Sequence, residues 1–430
     1  MKHVAVIEVR IWGQRVGAVA LDERLGYYAF AYEPAWRRSG IDLAPLTLPL
    51  GDRSATFVFP NLPDATFHHL PGMLADALPD TFGNALIDAW MAERGFTKSE
   101  VTQLDRLAYM GKRGMGALEF RPARGSHSES TAPLEMKSLV ENARKLMEGD
   151  LTIGARAQAA LANIIRVGTS AGGARAKAVI AWNPRTNAIR SGQFDAAEGF
   201  EPWLLKFDDV GKDRELGTGA DYGRIEYAYC LMAKQAGIDM NECRLLEENG
   251  RAHFMTRRFD REVVGGQTIK HHVLTLCAMD HLDFKQRSTH AYAQLFMVVA
   301  RLGLGDRALD QVFRRMAFNV MARNCDDHTK NFAFRLKQRG NWELAPAYDV
   351  THAYYPKGEW TYQHLMSVNG KFDDITREDM VVEADRFGVG RPSDRLNEVH
   401  TALRNWPRFA QEAGLSDSTS DRVAADFRLL

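Results

Sequence analysis

The chain has little cysteine: four residues in 430, at positions 230, 243, 277 and 325, with no C-x-x-C pair among them. That spacing argues against a disulfide framework and a closed zinc site, so all four are expected as free thiols in a reducing compartment. There is no stretch of roughly 18 unbroken apolar residues, which excludes a membrane span of the helical kind. Charge of one sign is also missing. Lys plus Arg and Asp plus Glu each total 55, and a formal net charge of zero gives no support to a protein that wraps nucleic acid by itself. The opening "MKHVAVIEVRIWGQRVGAVAL" alternates like a strand and lacks the apolar run and cleavage site of a signal peptide, so a cytoplasmic protein is expected. Adjacent histidines at His68/His69 and His271/His272 point to opposite faces of a strand and lack the i, i+4 spacing of a helical metal pair.

What is present reads as an α+β protein of more than one core. Residues 1 to about 60 hold short alternating pieces ("HVAVIEVRIWG", "QRVGAVAL", "GYYAFAYEP", "ATFVFP"), which fit a small antiparallel sheet. "GMLADALPDTFGNALIDAWMAERGF" has helical apolar spacing, with Asp80/Thr81 as N-cap and Gly95 as stop. "RPARGSHSESTAP" reads as a surface linker near 121–133. Helices follow near 134–147 and 154–166, then the glycine-rich "VGTSAGGARAKAVIAWNP" running into a strand. "EPWLLKFDD" reads as a further strand, "YGRIEYAYCLMAKQAGI" as a helix, and "RAHFMTRRFDRE" as a sheet edge leading into a loop. Beyond about 268 the pattern is mostly helical. The expected organisation is a β-rich amino-terminal subdomain (1–130), a nucleotide-binding lobe (131–258) and a helical lobe (259–430).

Phosphoryl transfer from a nucleotide asks for a loop over the phosphates, a strand lysine, a carboxylate near the acceptor hydroxyl and oxygen ligands for magnesium. Gly168, Gly172 and Gly173 allow close backbone approach to an anion, although Ala174 stands where a Walker A lysine would be. Lys206 ends the apolar strand "WLLK", and Glu226 on the next helix can partner it. In "NCDDHTKNFAF", Asp326 and Asn331 stand five apart, the spacing of the aspartate and asparagine of a protein-kinase catalytic loop. Asp349 in "LAPAYDV" can supply a metal carboxylate beside Asn331. Read alone, Asp327, His328 and Lys330 fit capping or solvated turn residues as well as functional ones.

These stretches, in this order, resemble the HipA-like serine/threonine kinases, toxins of bacterial type II toxin–antitoxin modules. The similarity rests on "TSAGGARAKA", "WLLKF", "EYAYCLMAKQAGI", "RRFDR", "NCDDHTKNFAF" and "LAPAYDV", with "LADALPDTFGNALI" and "MGKRGMGALEF" upstream. It implies a two-lobed protein-kinase-like fold, ATP and magnesium as cofactors, Asp326 as catalytic aspartate, and Asn331 and Asp349 as magnesium ligands. The nucleotide contacts it implies are Lys206, Glu226, Gly172, Gly173, Ala174, Lys177, His328 and Lys330, with Arg257, Phe259 and Asp260 at the hinge, the last toward the ribose. It also implies inhibitory autophosphorylation at Ser170, with Thr169 nearby. A helix-turn-helix antitoxin of the HipB kind would contact DNA for the pair, and an aminoacyl-tRNA synthetase would be the substrate. Arg175 and Ala176 depart from the glutamine and glutamate of some members, and Arg257 from a hinge glutamate. A small-molecule kinase and a catalytically silent partner of a repressor are the rival readings.

Overall fold

A computed structural model describes residues 2–52, 54–124, 136–148, 176–193, 198–208, 210 and 221–430. The expected helix at 154–166 and the glycine-rich turn, with Gly168, Thr169, Ser170, Gly172, Gly173 and Ala174, lie outside the described residues.

Strands β1 (Val6–Ile11), β2 (Gln14–Asp22), β3 (Tyr27–Tyr32) and β4 (Leu118–Arg121) form an antiparallel sheet in the order β3-β2-β1-β4. The period-2 pattern decides which face is buried: Ile7, Val9 and Ile11 of β1 and Tyr28, Phe30 and Tyr32 of β3 go inward. A second antiparallel sheet contains β5 (Lys177–Trp182), β6 (Ile189–Ser191), β7 (Glu201–Lys206), β8 (Cys243–Glu248) and β9 (Arg251–Arg257), in the order β6-β5-β7-β9-β8. Strand β9 was expected at an edge. It lies inside the sheet, with β8 paired along Arg251–Thr256 and β7 along Phe254–Arg257.

The helix Thr81–Ala92 starts where its N-cap signal predicts, with the Asp80 carboxylate accepting from Gly83 N at 2.7 Å. Its apolar face, Phe82, Leu86, Ile87 and Trp90, joins Leu139 and Val140 of the helix Met136–Glu148 against Ile180, Trp203, Leu205 and Met255 of the second sheet. Each such side chain, fully buried, stabilises by roughly 1.5–3 kcal/mol. The chain preceding this helix instead shares one core with the carboxy-terminal helices. Trp12 Nε1 donates to Lys270 O at 2.7 Å and Trp342 Nε1 to Asp42 O at 3.0 Å across that junction. The amino-terminal portion therefore touches both lobes, and this bears directly on the site.

The helix Tyr222–Gln235 lies close against β9. A Cβ on Gly223 would stand 2.0 Å from the Ala252 carbonyl oxygen, so only glycine permits this approach. The same packing corrects the expectation of four free thiols: Cys230 on the helix and Cys243 at the start of β8 meet beside Phe254 and form a disulfide. Cys277 and Cys325 are free and buried. Beyond residue 270, the helices Tyr292–Arg301, Gly305–Met321, Arg377–Arg386, Pro392–Arg404, Trp406–Glu412 and Asp417–Ala425 build the helical lobe. A short hairpin, Ala333–Leu336 with Trp342–Leu344, leads from the Asp326 loop to Asp349.

Candidate functional site

Strand β7 delivers Lys206 because its preceding residues, Pro202 to Leu205, are all buried and fix the strand end. The Lys206 ammonium is bound by two carboxylates at once, Glu226 at 2.5 Å on the helix Tyr222–Gln235 and Asp349 from beyond the hairpin. Burial alone would push the Lys206 pKa down. Asp349 and then Glu226 outweigh it and hold the ammonium above its ordinary value. Burial likewise opposes ionisation of Asp349, but Lys206 first and Lys177 next bring its carboxyl below the usual range. Asp349 has φ +52°, a left-handed conformation that aspartate tolerates better than most residues, and this turn aims its carboxylate back toward β7.

The Asp326 loop follows the helix Gly305–Met321 and is held from several sides. Cys325 N donates to Ala353 O at 2.9 Å, Thr329 Oγ1 to Leu282 O at 2.8 Å, and Tyr348 OH to Lys330 O at 2.6 Å. Asp327, read above as a capping or solvated residue, is neither. It is 1% exposed and accepts from Tyr292 OH at 2.8 Å, Leu365 N at 2.7 Å and His364 Nδ1 at 2.9 Å. Burial would lower the pKa of His364, but the adjacent Cys325 and Asp327 override it and raise it to about 10, so the pair is an imidazolium with a carboxylate. With Asp327 anchored inward, its neighbour Asp326 turns outward: its side chain is 48% exposed, with His328 Nε2 at 3.6 Å.

Asn331 donates Nδ2 to the Asp326 carbonyl at 2.6 Å, which leaves Oδ1 as the acceptor of that side chain. Asn331 and Asp349 line one small cavity, together with Tyr348, Asn319, Asn324 and Asp327. An amide oxygen and one or two carboxylate oxygens on a shared cavity fit magnesium, which takes few protein ligands and keeps waters and phosphate oxygens for the rest. Lys330 sits 4.8 Å over the Phe284 ring, beside His328.

At the hinge the expected roles divide. Arg257 N already donates to Glu242 O at 2.8 Å, and Arg257 O accepts from Asn241 Nδ2 at 2.7 Å. Phe259 stacks on Tyr348, with ring centres 5.7 Å apart, and its carbonyl takes Arg335 at 2.6 Å. Asp260 cannot reach a ribose. It is fully buried, bound by Arg258 (2.9 and 2.7 Å) and Arg261 (2.7 Å), and accepts from Gly116 N at 2.7 Å. Burial opposes its charge, but the two guanidiniums hold its carboxyl well below the usual range. This buried hub fastens the amino-terminal segment 114–116 to residues 258–261. Lys177, at the start of β5, is buried and lies 3.7 Å from Asp80. Sequence reasoning missed Asp80 beyond its capping role, and missed His364 and Tyr292 altogether, since isolated residues about 35 positions from the loop carry no local signal.

Comparison with known proteins bears on the family and the fold. The HipA-like C-terminal domain matches residues 169–427 and the HipA N-terminal domain matches residues 7–121. The chain is 21% identical to the serine/threonine-protein kinase toxin HipA of Shewanella oneidensis, over 98% of this chain and 92% of that protein. A solved structure of a Shewanella oneidensis complex of HipA, HipB and operator DNA superposes at a TM-score of 0.67 and 18% identity, covering 97% of this chain and 94% of that one. The chain belongs to the HipA family.

Proposed function

We propose that this chain is an ATP- and magnesium-dependent serine/threonine protein kinase acting as a HipA-type toxin. One observation carries the reading: Lys206, at the end of a sheet strand, is held by a helix glutamate and by the carboxylate of Asp349, which shares a cavity with Asn331. A strand lysine paired to a helix glutamate beside an Asp/Asn oxygen set is the arrangement that protein kinases use for phosphoryl transfer.

In this reading the Lys206 ammonium neutralises phosphate oxygens, and Glu226 keeps it charged and oriented. Asp326 accepts the proton of the acceptor hydroxyl, a task suited to an outward-facing carboxylate. Its exposure favours a protein acceptor over a metabolite, which would need an enclosed pocket. Asn331 Oδ1 and Asp349 would hold magnesium, which neutralises charge on the phosphates. His328 and Lys330 border the same loop as further cations.

The remaining parts of the proposal extend the family resemblance. Ser170 is the autophosphorylation site, and adding about −1.5 to −2 charge to a phosphate loop opposes nucleotide binding. The partner is a helix-turn-helix antitoxin of the HipB type, through which DNA is contacted, and the substrate is a cytoplasmic protein such as an aminoacyl-tRNA synthetase. No described helix is long and apolar enough to cross a membrane. The test is incubation of the purified chain with labelled ATP, magnesium and a bacterial lysate. Label on serine or threonine of a discrete protein is expected from the native chain and none from Asp326→Asn; equal labelling by both refutes the assignment.

A further inference from the structure

Strands β5 and β7 pair so that Lys177 stands opposite Lys206. Opposite residues of an antiparallel ladder project on one face, and like charges there repel unless each is answered. Glu226 and Asp349 answer Lys206. Lys177, 2% exposed, is answered from the amino-terminal portion of the chain: Asp80 Oδ2 lies 3.7 Å from its ammonium. The two oxygens of Asp80 have separate tasks. Oδ1 caps the helix Thr81–Ala92, whereas Oδ2 is buried, has no hydrogen-bond partner among the described residues, and faces the lysine at ion-pairing distance.

Four residues earlier, Asp76 accepts from Thr275 N at 2.8 Å and Thr275 Oγ1 at 2.9 Å. The next amide, Leu276 N, donates to Phe332 O at 2.7 Å, directly after Asn331. The pentapeptide 76–80, "DALPD", thus holds Thr275, whose neighbour Leu276 bonds the end of the Asp326 loop, with its first residue, and faces Lys177 of β5 with its last.

We infer that Asp80 is a positioning residue: its carboxylate holds the Lys177 ammonium alongside that of Lys206, so that the amino-terminal domain completes a two-lysine anion site for the nucleotide phosphates. The inference rests on the kinase reading above. Without the Asp80 charge, the pull of Lys177 on Asp349, whose ionised form it already favours, is no longer shared with a second carboxylate. Lys177 would then compete for the carboxylate needed as an oxygen donor.

Asp80→Asn separates this role from capping, because asparagine caps a helix as well as aspartate does. The native chain, Asp80→Asn, Lys177→Met and the double variant are titrated with a non-hydrolysable ATP analogue and magnesium by calorimetry, with KM and kcat for ATP measured in parallel. Asp80→Asn keeps the cap but leaves the buried Lys177 without its carboxylate, so it should melt below the native chain, and in the folded protein it should weaken analogue binding and raise KM by about tenfold, with kcat changed far less. In the Lys177→Met background the same substitution should have no further effect. Native affinity in Asp80→Asn, or the same loss with and without Lys177, overturns the inference. Should Asp80→Asn be unfolded at the assay temperature, the cycle is read at a lower temperature at which all four proteins are folded. A native chain that binds no nucleotide removes the kinase reading, and this inference with it.

Discussion

Replacing Asp327 by alanine and, separately, Asp326 by asparagine should split stability from chemistry within one dipeptide. Asp327 and His364 are each about 1% exposed, and the alanine variant strands the imidazolium while removing the acceptor of Tyr292 OH and Leu365 N. Breaking a buried pair from one side costs roughly 3–5 kcal/mol. At about 2–4 °C per kcal/mol for a lobe of this size, the melting temperature should fall on the order of 10 °C. The effect must depend on pH in one direction. The folded pKa of His364, about 10, lies above its ordinary 6.5, so the folded state holds the proton more tightly. The contribution is complete below pH 6.5 and is lost as pH rises through about 10. Scanning calorimetry from pH 6.5 to 10 should show the gap between native and Asp327→Ala narrowing with pH. Asp326→Asn, with its half-exposed side chain, should melt with the native chain and lose phosphate transfer by roughly 10²–10⁴-fold. An Asp327→Ala protein that melts within 2 °C of native, or a gap that widens with pH, refutes the reasoning.

Three further outcomes are expected. Lys206→Met leaves Glu226 and Asp349 facing each other without their cation, so transfer should fall by at least about 10²-fold, read with labelled ATP. Arg258→Met leaves Arg261 as the sole guanidinium on Asp260, whose carboxyl is now held low. Because a depressed carboxyl stabilises above its unfolded pKa and loses that as pH falls, the acid-unfolding midpoint should move to higher pH in this variant, followed by circular dichroism. Ser170→Ala should remove the main phosphopeptide of the self-incubated chain in mass spectrometry while retaining transfer to other proteins; the same peptide still modified at Ser170's neighbour Thr169 would move the assignment by one residue.

Much of the fold was legible because local physics set it. Alternation placed Ile7, Val9 and Ile11 inward, and Asp80 announced the start of the helix Thr81–Ala92 as a cap. The Asp326, Asn331, Asp349 and Lys206 spacing was legible as chemistry, and the fold brings Lys206 to Asp349 and Asn331 to the same cavity. What escaped depends on distant partners. The spacing to Asn331 singles out Asp326, but nothing local gives Asp327 its buried role, which is made by Tyr292 and His364 from either side along the chain. Asp260 looked like a ribose ligand until Gly116, 144 residues upstream, was found on its carboxylate. Cys230 and Cys243 carry no paired-cysteine motif, and only the packing of a helix on β9 joins them. Likewise β9 reads as an edge from its flanking loop, whereas strand order is set by β7 and β8 pairing on either side.

A crystal structure of the full chain with magnesium and a non-hydrolysable ATP analogue probes the central claim most directly. The account predicts the phosphates against Lys206, the metal between Asn331 and Asp349, and the terminal phosphate open toward Asp326. A nucleotide bound elsewhere, or phosphates that leave the Lys206–Glu226–Asp349 cluster untouched, would contradict it.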